Sequence, residues 1–209
     1  MNNLTAWIRN ELQTSRDAVD AALSDEAFVG SVERAGDAIA ASYTGGGKLL
    51  AVGNGGSAAD AMHLCEELTG RFRFNRPALP AIPCTDPGHL TCVANDFGYD
   101  RVFERFVEAH GNTGDTLVAL STSGSSENVL RAVDEAARRG LTTVGLTGPA
   151  GGKLAERAGI VLRTPRPEGA GDFFADRVQE VHMLAMHILV GYVERKLFGP
   201  SGSTRHSDA

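Results

Sequence analysis

His63 and Glu67 stand four residues apart in Gly53-Asn54-Gly55-Gly56-Ser57-Ala58-Ala59-Asp60-Ala61-Met62-His63-Leu64-Cys65-Glu66-Glu67. On a helix, positions i and i+4 share a face, so this imidazole and carboxylate can meet over one reacting atom or one metal ion. The glycines ahead of them offer a second chemistry. Three glycines in four residues permit positive φ and close approach of a ligand to backbone, and Ser57 is placed to cap the helix that follows. A helix N-terminus carries about half a positive charge and unpaired N–H groups, which makes an anion seat. Taken alone, such a turn equally describes a plain strand-to-helix connection beside a surface His–Glu pair.

A second loop, Ser121-Thr122-Ser123-Gly124-Ser125-Ser126, has five hydroxyls around one glycine. Capping a helix needs one hydroxyl, whereas five converging on a helix N-terminus suit a phosphate monoester. A third set comprises Gln179, Glu180, His182 and His187. At roughly 100° per residue, Gln179, Met183, His187 and Val190 share a broad helix face, with His182 at its edge. Two imidazoles and a carboxylate could hold zinc. Gln is an uncommon zinc ligand, however, and Gln179 to His187 spans roughly 12 Å of helix rise. Spacing alone leaves the histidines open between ligands and hydrogen-bonded core residues.

Other chemistries are absent. The sequence has no Gly-Lys-Ser phosphate loop, no HExxH, no GxSxG, and an incomplete GxGxxG, which disfavours a nicotinamide cofactor. Net charge −6 argues against a nucleic-acid partner, which needs clustered Lys and Arg to displace counterions. The basic, aromatic segment Gly70–Pro77 is short and isolated and reads as a solvated connector. Cys65, Cys84 and Cys92 form no CxxC pair, and three cannot complete a disulfide set, so reduced thiols and a cytoplasmic location are expected. Residues 1–12 lack the apolar core of a secretory signal. The longest apolar span, Val181–Val193, contains His182 and His187, so no membrane partner is expected.

The elements that must position these residues follow from periodicity. Residues 4–24 and the pattern Val32, Ala35, Ile39, Tyr43 read as two amphipathic helices, the second stopped by Gly45-Gly46-Gly47. Their apolar stripes can cover a sheet or meet a partner subunit. Strands are expected at 48–52, 79–84, 116–120, 142–146 and 160–162, the second at an edge because of Pro80 and Pro83. Helices fall between them, from Ser57 to about Leu68, after Asp86, around Val102–Val107, at about 127–139, in a short piece after Gly152, and at about 176–196. Asn95-Asp96-Phe97-Gly98-Tyr99 is expected to interrupt the helical pattern. Alternating strands and helices specify one α/β domain, a parallel sheet with helices on both faces and ligands at the carboxyl ends of the strands, where both loops lie.

The segments GNGGSAADAMHLCEELTGRF, VANDFGYDRVF, STSGSSENVL and ADRVQEVHMLAMHIL resemble the phosphoheptose isomerase family of the sugar isomerase (SIS) superfamily, over nearly the whole chain to about Leu197. The serine-rich loop places only the superfamily; His63 and Glu67 with Gln179 and His187 narrow the resemblance to the heptose branch. It implies a three-layer, Rossmann-like SIS fold with a five-stranded parallel sheet, as a single domain over 1–199 with a disordered 200–209 tail. The assembly implied is a homotetramer whose active sites lie between subunits. The reaction implied is conversion of sedoheptulose 7-phosphate to D-glycero-D-manno-heptose 7-phosphate, the first step towards nucleotide-activated heptose.

By the same resemblance, Ser121, Thr122, Ser123 and Ser126 would hold the phosphate, and Asn54, Gly55, Gly56, Ser57, Glu67, Asn95, Asp96 and Gln179 would contact substrate. Glu67 and His187 would be the catalytic pair, and His63, Glu67, Gln179 and His187 the ligands of one zinc ion. Glu67 cannot be a tightly held ligand and a free base at once without shifting. Two departures stand out: residues 164–174 form a longer connector than the family's, and Pro149-Ala150 varies the turn after the fourth strand. A non-enzymatic SIS protein that binds the bacterial replication initiator, or an SIS enzyme for another sugar phosphate, would share the phosphate loop; Glu67, Gln179 and His187 together favour the heptose enzyme.

Overall fold

The computed structural model describes residues 3–171 and 173–200. The tail expectation, from residue 201 on, lies outside the described residues. Two helices come first, α1 (Leu4–Ser24) and α2 (Glu26–Thr44). Then follow β1 (Leu49–Gly53), α3 (Gly56–Thr69), β2 (Ala81–Pro83), α4 (Pro87–Phe97), a 3₁₀ turn (Tyr99–Arg101) and α5 (Val102–His110). The second half is β3 (Thr116–Ser121), α6 (Glu127–Arg138), β4 (Thr142–Thr147), α7 (Gly152–Arg157), β5 (Ile160–Arg163) and α8 (Ala175–Phe198).

All four strand pairings are parallel, in the order β2-β1-β3-β4-β5. The chain leaves β1 in one direction to reach β2 and resumes on the other side with β3, so the order reverses between β1 and β3. The loops after those two strands therefore flank the crevice where open α/β sheets bind ligands. Strand side chains alternate between layers: Leu49 and Ala51 of β1 with Val118 and Leu120 of β3 face α2, α3 and α8. Leu50, Val52, Leu117 and Ala119 face α4, α5 and α6. Such strands, buried on both faces, read as continuous apolar runs.

Local chemistry sets the boundaries. Asp25 caps α2 by accepting from the amides of Ala27 and Phe28, and Asp86 caps α4 through the amide of His89. The second strand is shorter than expected, and only its Ala81–Pro83 stretch pairs, with β1 alone; neither Pro80 before it nor Pro83 at its end has an N–H to donate to a ladder. The interruption expected at Asn95-Asp96 falls later. Both residues sit in the last turn of α4, and Gly98, at φ +93°, ends the helix.

Of the two leading helices, α2 covers the sheet with Phe28, Val32, Ala35 and Ile39. α1 buries only Ala18 and Ala22 and exposes Leu4, Trp7, Ile8, Leu12 and Leu23. No helix among the described residues is long and apolar enough to cross a membrane.

The reading of Gly70–Pro77 as a solvated connector needs correction at Arg76. Its side chain is fully enclosed and its Nε donates to Glu194 of α8 at 2.9 Å. Its Nη1 donates to the carbonyl of Leu68 at 2.7 Å and its Nη2 to that of Glu67 at 2.7 Å. Those are carbonyls that the end of α3 leaves without helical partners, so the guanidinium closes α3 and ties it to α8 at once. A neutral residue at 76 would strand Glu194 in the core, and breaking a buried pair from one side costs about 3–5 kcal/mol. Arg76→Met is expected to lose that much in urea unfolding, and Arg76→Met/Glu194→Leu to regain a large part of it. A single-variant loss under about 1 kcal/mol would remove the closing role given to this pair.

Candidate active site

The first loop turns at Gly55, whose φ of +55° makes it the residue preceding α3. The helix therefore starts one residue earlier than expected, and Ser57 is not its cap: it is buried in the first turn, and no side chain caps the helix. Two neighbouring glycines are needed for close approach rather than for φ. A Cβ on Gly53 would fall 2.6 Å from the Ser57 carbonyl oxygen, and one on Gly56 would fall 2.5 Å from Nε2 of Gln179. Gln179 thus lies against the start of α3.

Asn54, between these glycines, is held by residues that periodicity and spacing did not single out. Its amide pairs reciprocally with Asn128 in the first turn of α6, both hydrogen bonds being 2.9 Å, and its Oδ1 also accepts from the Tyr99 hydroxyl at 2.8 Å. Asn128 is buried. The available signal was an asparagine just inside a helix, where the side chain normally competes with backbone and is disfavoured. Asn95 and Asp96 lie one turn before Tyr99, are exposed, and bond to each other at 2.8 Å.

In the second loop the hydroxyls converge as the sequence indicates. Ser121 Oγ lies 3.2 Å from Ser126 Oγ and 3.5 Å from Ser123 Oγ, and Ser123 Oγ accepts from the Ser125 amide. Thr122 is half-buried beside them. Gly124 takes φ +64° and presses against Gly151 of the next loop, where a Cβ would collide with the Gly151 carbonyl. The amide of Leu154 donates to the Gly124 carbonyl, and the amide of Gly148 to that of Thr122. The hydroxyl cup and the turn after β4 are one packed unit.

The third group forms where α3 and α8 run side by side. His63 Nε2 and His187 Nε2 are 2.9 Å apart, and Glu67 Oε1 is 3.4 Å from His63 Nε2. One donor atom from each of His63, Glu67 and His187 falls within 4.8 Å of the others. Two imidazole nitrogens facing each other at that distance need either a shared proton or a cation between them. Tetrahedral zinc with bonds of about 2.0–2.1 Å places its ligand atoms about 3.3 Å apart, so these three donors fit such an ion. Phe72 stacks on the His187 ring at 5.7 Å between centroids, with the Arg73 guanidinium 5.1 Å from the centroid of the Phe72 ring.

Gln179 is not beside this trio in the same chain. It sits at Gly56, and Gly56 to His63 is roughly 10 Å of helix rise. His182 is a core residue: burial pushes its pKa down to about 4, which keeps the ring neutral with Nε2 3.3 Å from the Thr147 carbonyl. Asp60, one turn before His63, is buried among apolar groups that raise its carboxyl to about 6, against a lowering influence of His63.

Comparison with known proteins places this architecture. A family model for the SIS domain matches residues 14–148, and a second SIS-domain model matches 107–190. The chain is 50% identical over 190 residues to a phosphoheptose isomerase of Sodalis glossinidius, covering 91% of this chain and 95% of that one. It is 48% identical over 190 residues to a phosphoheptose isomerase of Vibrio cholerae, covering 91% and 97%. The solved phosphoheptose isomerase GmhA from Neisseria gonorrhoeae superposes with a TM-score of 0.83 at 35% identity, covering 92% of this chain and 99% of that one. A phosphoheptose isomerase from Francisella tularensis does so at 0.82 and 32%, covering 93% and 100%.

The Asn54–Asn128 pair joins the two loops from which an anion seat is expected and generates a test that needs no knowledge of turnover. Losing a buried amide partner costs about 1–3 kcal/mol, so Asn128→Ala should weaken binding of inorganic phosphate about tenfold in a calorimetric titration. Affinity equal to that of the parent protein would mean that Asn128 does not hold the loop.

Proposed function

The chain belongs to the phosphoheptose isomerase family of SIS-domain proteins, and from that premise we propose that it converts sedoheptulose 7-phosphate to D-glycero-D-manno-heptose 7-phosphate. It is an isomerase. The observation that carries the proposed chemistry is the meeting of His63, Glu67 and His187 in a chain that also has the hydroxyl cup.

Turning a ketose into an aldose moves one proton from C1 to C2 and redistributes the hydroxyl protons. The phosphate binds Ser121, Thr122, Ser123 and Ser126, with the α6 N-terminus adding its partial positive charge. Asn54, Gly55, Gly56, Ser57, Asn95, Asp96 and Gln179 contact the sugar. Glu67 removes the C1 proton as general base while His187 protonates the C2 oxygen as general acid, giving an enediol. The proton on Glu67 then returns at C2 as the C1 hydroxyl gives its proton to His187, so both groups end as they began. Such acid–base steps each contribute typically 10²–10⁴-fold.

His63, Glu67 and His187 would hold a zinc ion, with Gln179 of a second copy of the chain as a fourth ligand. Zinc bound there would polarise the carbonyl or orient the hydroxyls. With such an ion bound, Glu67 would serve as base only through a carboxylate not held by it.

The distances support sites shared between copies of the chain. An extended seven-carbon phosphate reaches roughly 10 Å from C1 to phosphorus at about 1.2 Å per bond. Gly56 to His63 takes roughly 10 Å of α3, and Gly56 to Glu67 roughly 16 Å. Within one chain the sugar would have to lie fully stretched along α3, with its reacting carbons at the limit of reach. A second copy that brings its own Gln179 and hydroxyl cup to the histidine pair removes that requirement. The exposed apolar side chains of α1, together with Leu184 and Ile188 on α8, supply the surface such a homotetramer needs. The packed layers around one sheet support a single domain over 1–199, and the free cysteines support a cytoplasmic setting.

The test is turnover of sedoheptulose 7-phosphate, with the aldose followed by NMR, before and after chelation and zinc readdition. Glu67→Gln and His187→Gln should each lower kcat at least a hundredfold while phosphate affinity stays within a factor of about three. Full activity in either variant would end its assignment, and turnover indifferent to chelation would end that of the metal.

A further inference from the structure

On the far flank of the sheet, between the start of α2 and the end of β5, lies a cleft of about 500 Å³. That volume is in the range of small-molecule sites. Arg34 of α2, Arg163 at the end of β5 and Arg166 in the long connector line it. Among the described residues, none of the three forms an ion pair with a carboxylate: Arg163 donates to the Pro149 carbonyl, and Arg166 to the carbonyls of Ala170 and Gly171. Arginines elsewhere on this surface, such as Arg101, Arg105, Arg131, Arg138 and Arg157, sit on Asp or Glu. The one acid in the cleft, Asp25, is engaged in accepting from two α2 amides. Thr164, also in the lining, is fully buried and its Oγ1 has no hydrogen-bond partner among the described residues. Such an atom is left unsatisfied only at a cost, unless a ligand or water meets it.

We infer that this cleft is a second anion site, separate from the hydroxyl cup, and that it takes a phosphorylated small molecule with an organic body. Three guanidiniums in a net acidic protein concentrate positive charge at one place, and their planar forks match phosphate oxygens. The wall of the cleft also has apolar residues, Phe28, Pro149 and Val161. The phosphate end of the ligand lies on the arginines and its uncharged part on these apolar side chains, so a phosphate ester fits better than a bare inorganic anion.

The experiment is calorimetric titration of the full-length protein with adenosine diphosphate, with fructose 1,6-bisphosphate and with inorganic pyrophosphate. Each is titrated into the parent, into Ser121→Ala/Ser126→Ala to weaken the cup, and into Arg34→Gln/Arg166→Gln. Both arginines are exposed, and the single variant Arg34→Gln is kept as a milder alternative. The expected result is saturable binding of one organic phosphate that survives in the serine variant, weakens at least tenfold in the arginine variant, and exceeds that of pyrophosphate. The nucleotide and sugar arms identify which body the apolar side chains take. Binding lost in the serine variant, or unchanged when the arginines are replaced, overturns the site, as does the absence of any binding outside the cup. These readouts involve neither turnover nor zinc, so the outcome is independent of whether the isomerase reading holds.

Discussion

The guanidinium of Arg76 fixes the arrangement on which the histidine cluster depends. It lies in the core, neutralises Glu194 of α8, and accepts the task of satisfying the carbonyls of Glu67 and Leu68 at the end of α3. His63 and Glu67 belong to one of the tied helices and His187 to the other. A 2.9 Å approach between two imidazoles tolerates little sliding, and two helices in contact through apolar groups alone have no such fixed register. The buried ion pair carries an unfavourable desolvation term, and what it gives in return is a definite position of one helix against the other.

At the opposite end of α3 the constraint comes from backbone proximity. Gly56 admits the Gln179 amide, Gly53 admits the Ser57 carbonyl, and Asn54 reaches across to Asn128 at the start of α6. The reversal of strand order between β1 and β3 sets two helix N-termini side by side. Their partial charges add at that crevice, in a protein of overall negative charge. An anion proposed to bind there would depend on local donors, the acidic surface elsewhere being of little consequence beyond a Debye length of about 8–10 Å.

Much of this was legible in the sequence because it is local. The apolar runs of β1, β3 and β4, the stop at Gly45–Gly47 and the hydroxyl-rich turn each follow from a few adjacent residues. What was not legible depends on distant partners. Ser57 looks like a cap until the positive φ of Gly55 starts the helix a residue earlier. Arg76 looks like one of several charges in a short loop until Glu194, 118 residues later, proves to be its partner. Asn128 acquires its meaning only from Asn54. Gln179 and His187 share a helix face, yet the fold puts one at the start of α3 and the other two turns along it, a separation that helix periodicity cannot register.

The packing of Gly124 on Gly151 bears on how this scaffold can be altered. The turn after β3 and the turn after β4 have no room between them for even a methyl group, and the amides of Gly148 and Leu154 on the β4 side donate to the carbonyls of Thr122 and Gly124. Neither can be lengthened, or exchanged with that of another protein, while its neighbour is kept. A graft of a new phosphate-binding loop must therefore bring both turns as a matched pair. Length variation is free only at segments outside this interlock, such as the connector between β5 and α8.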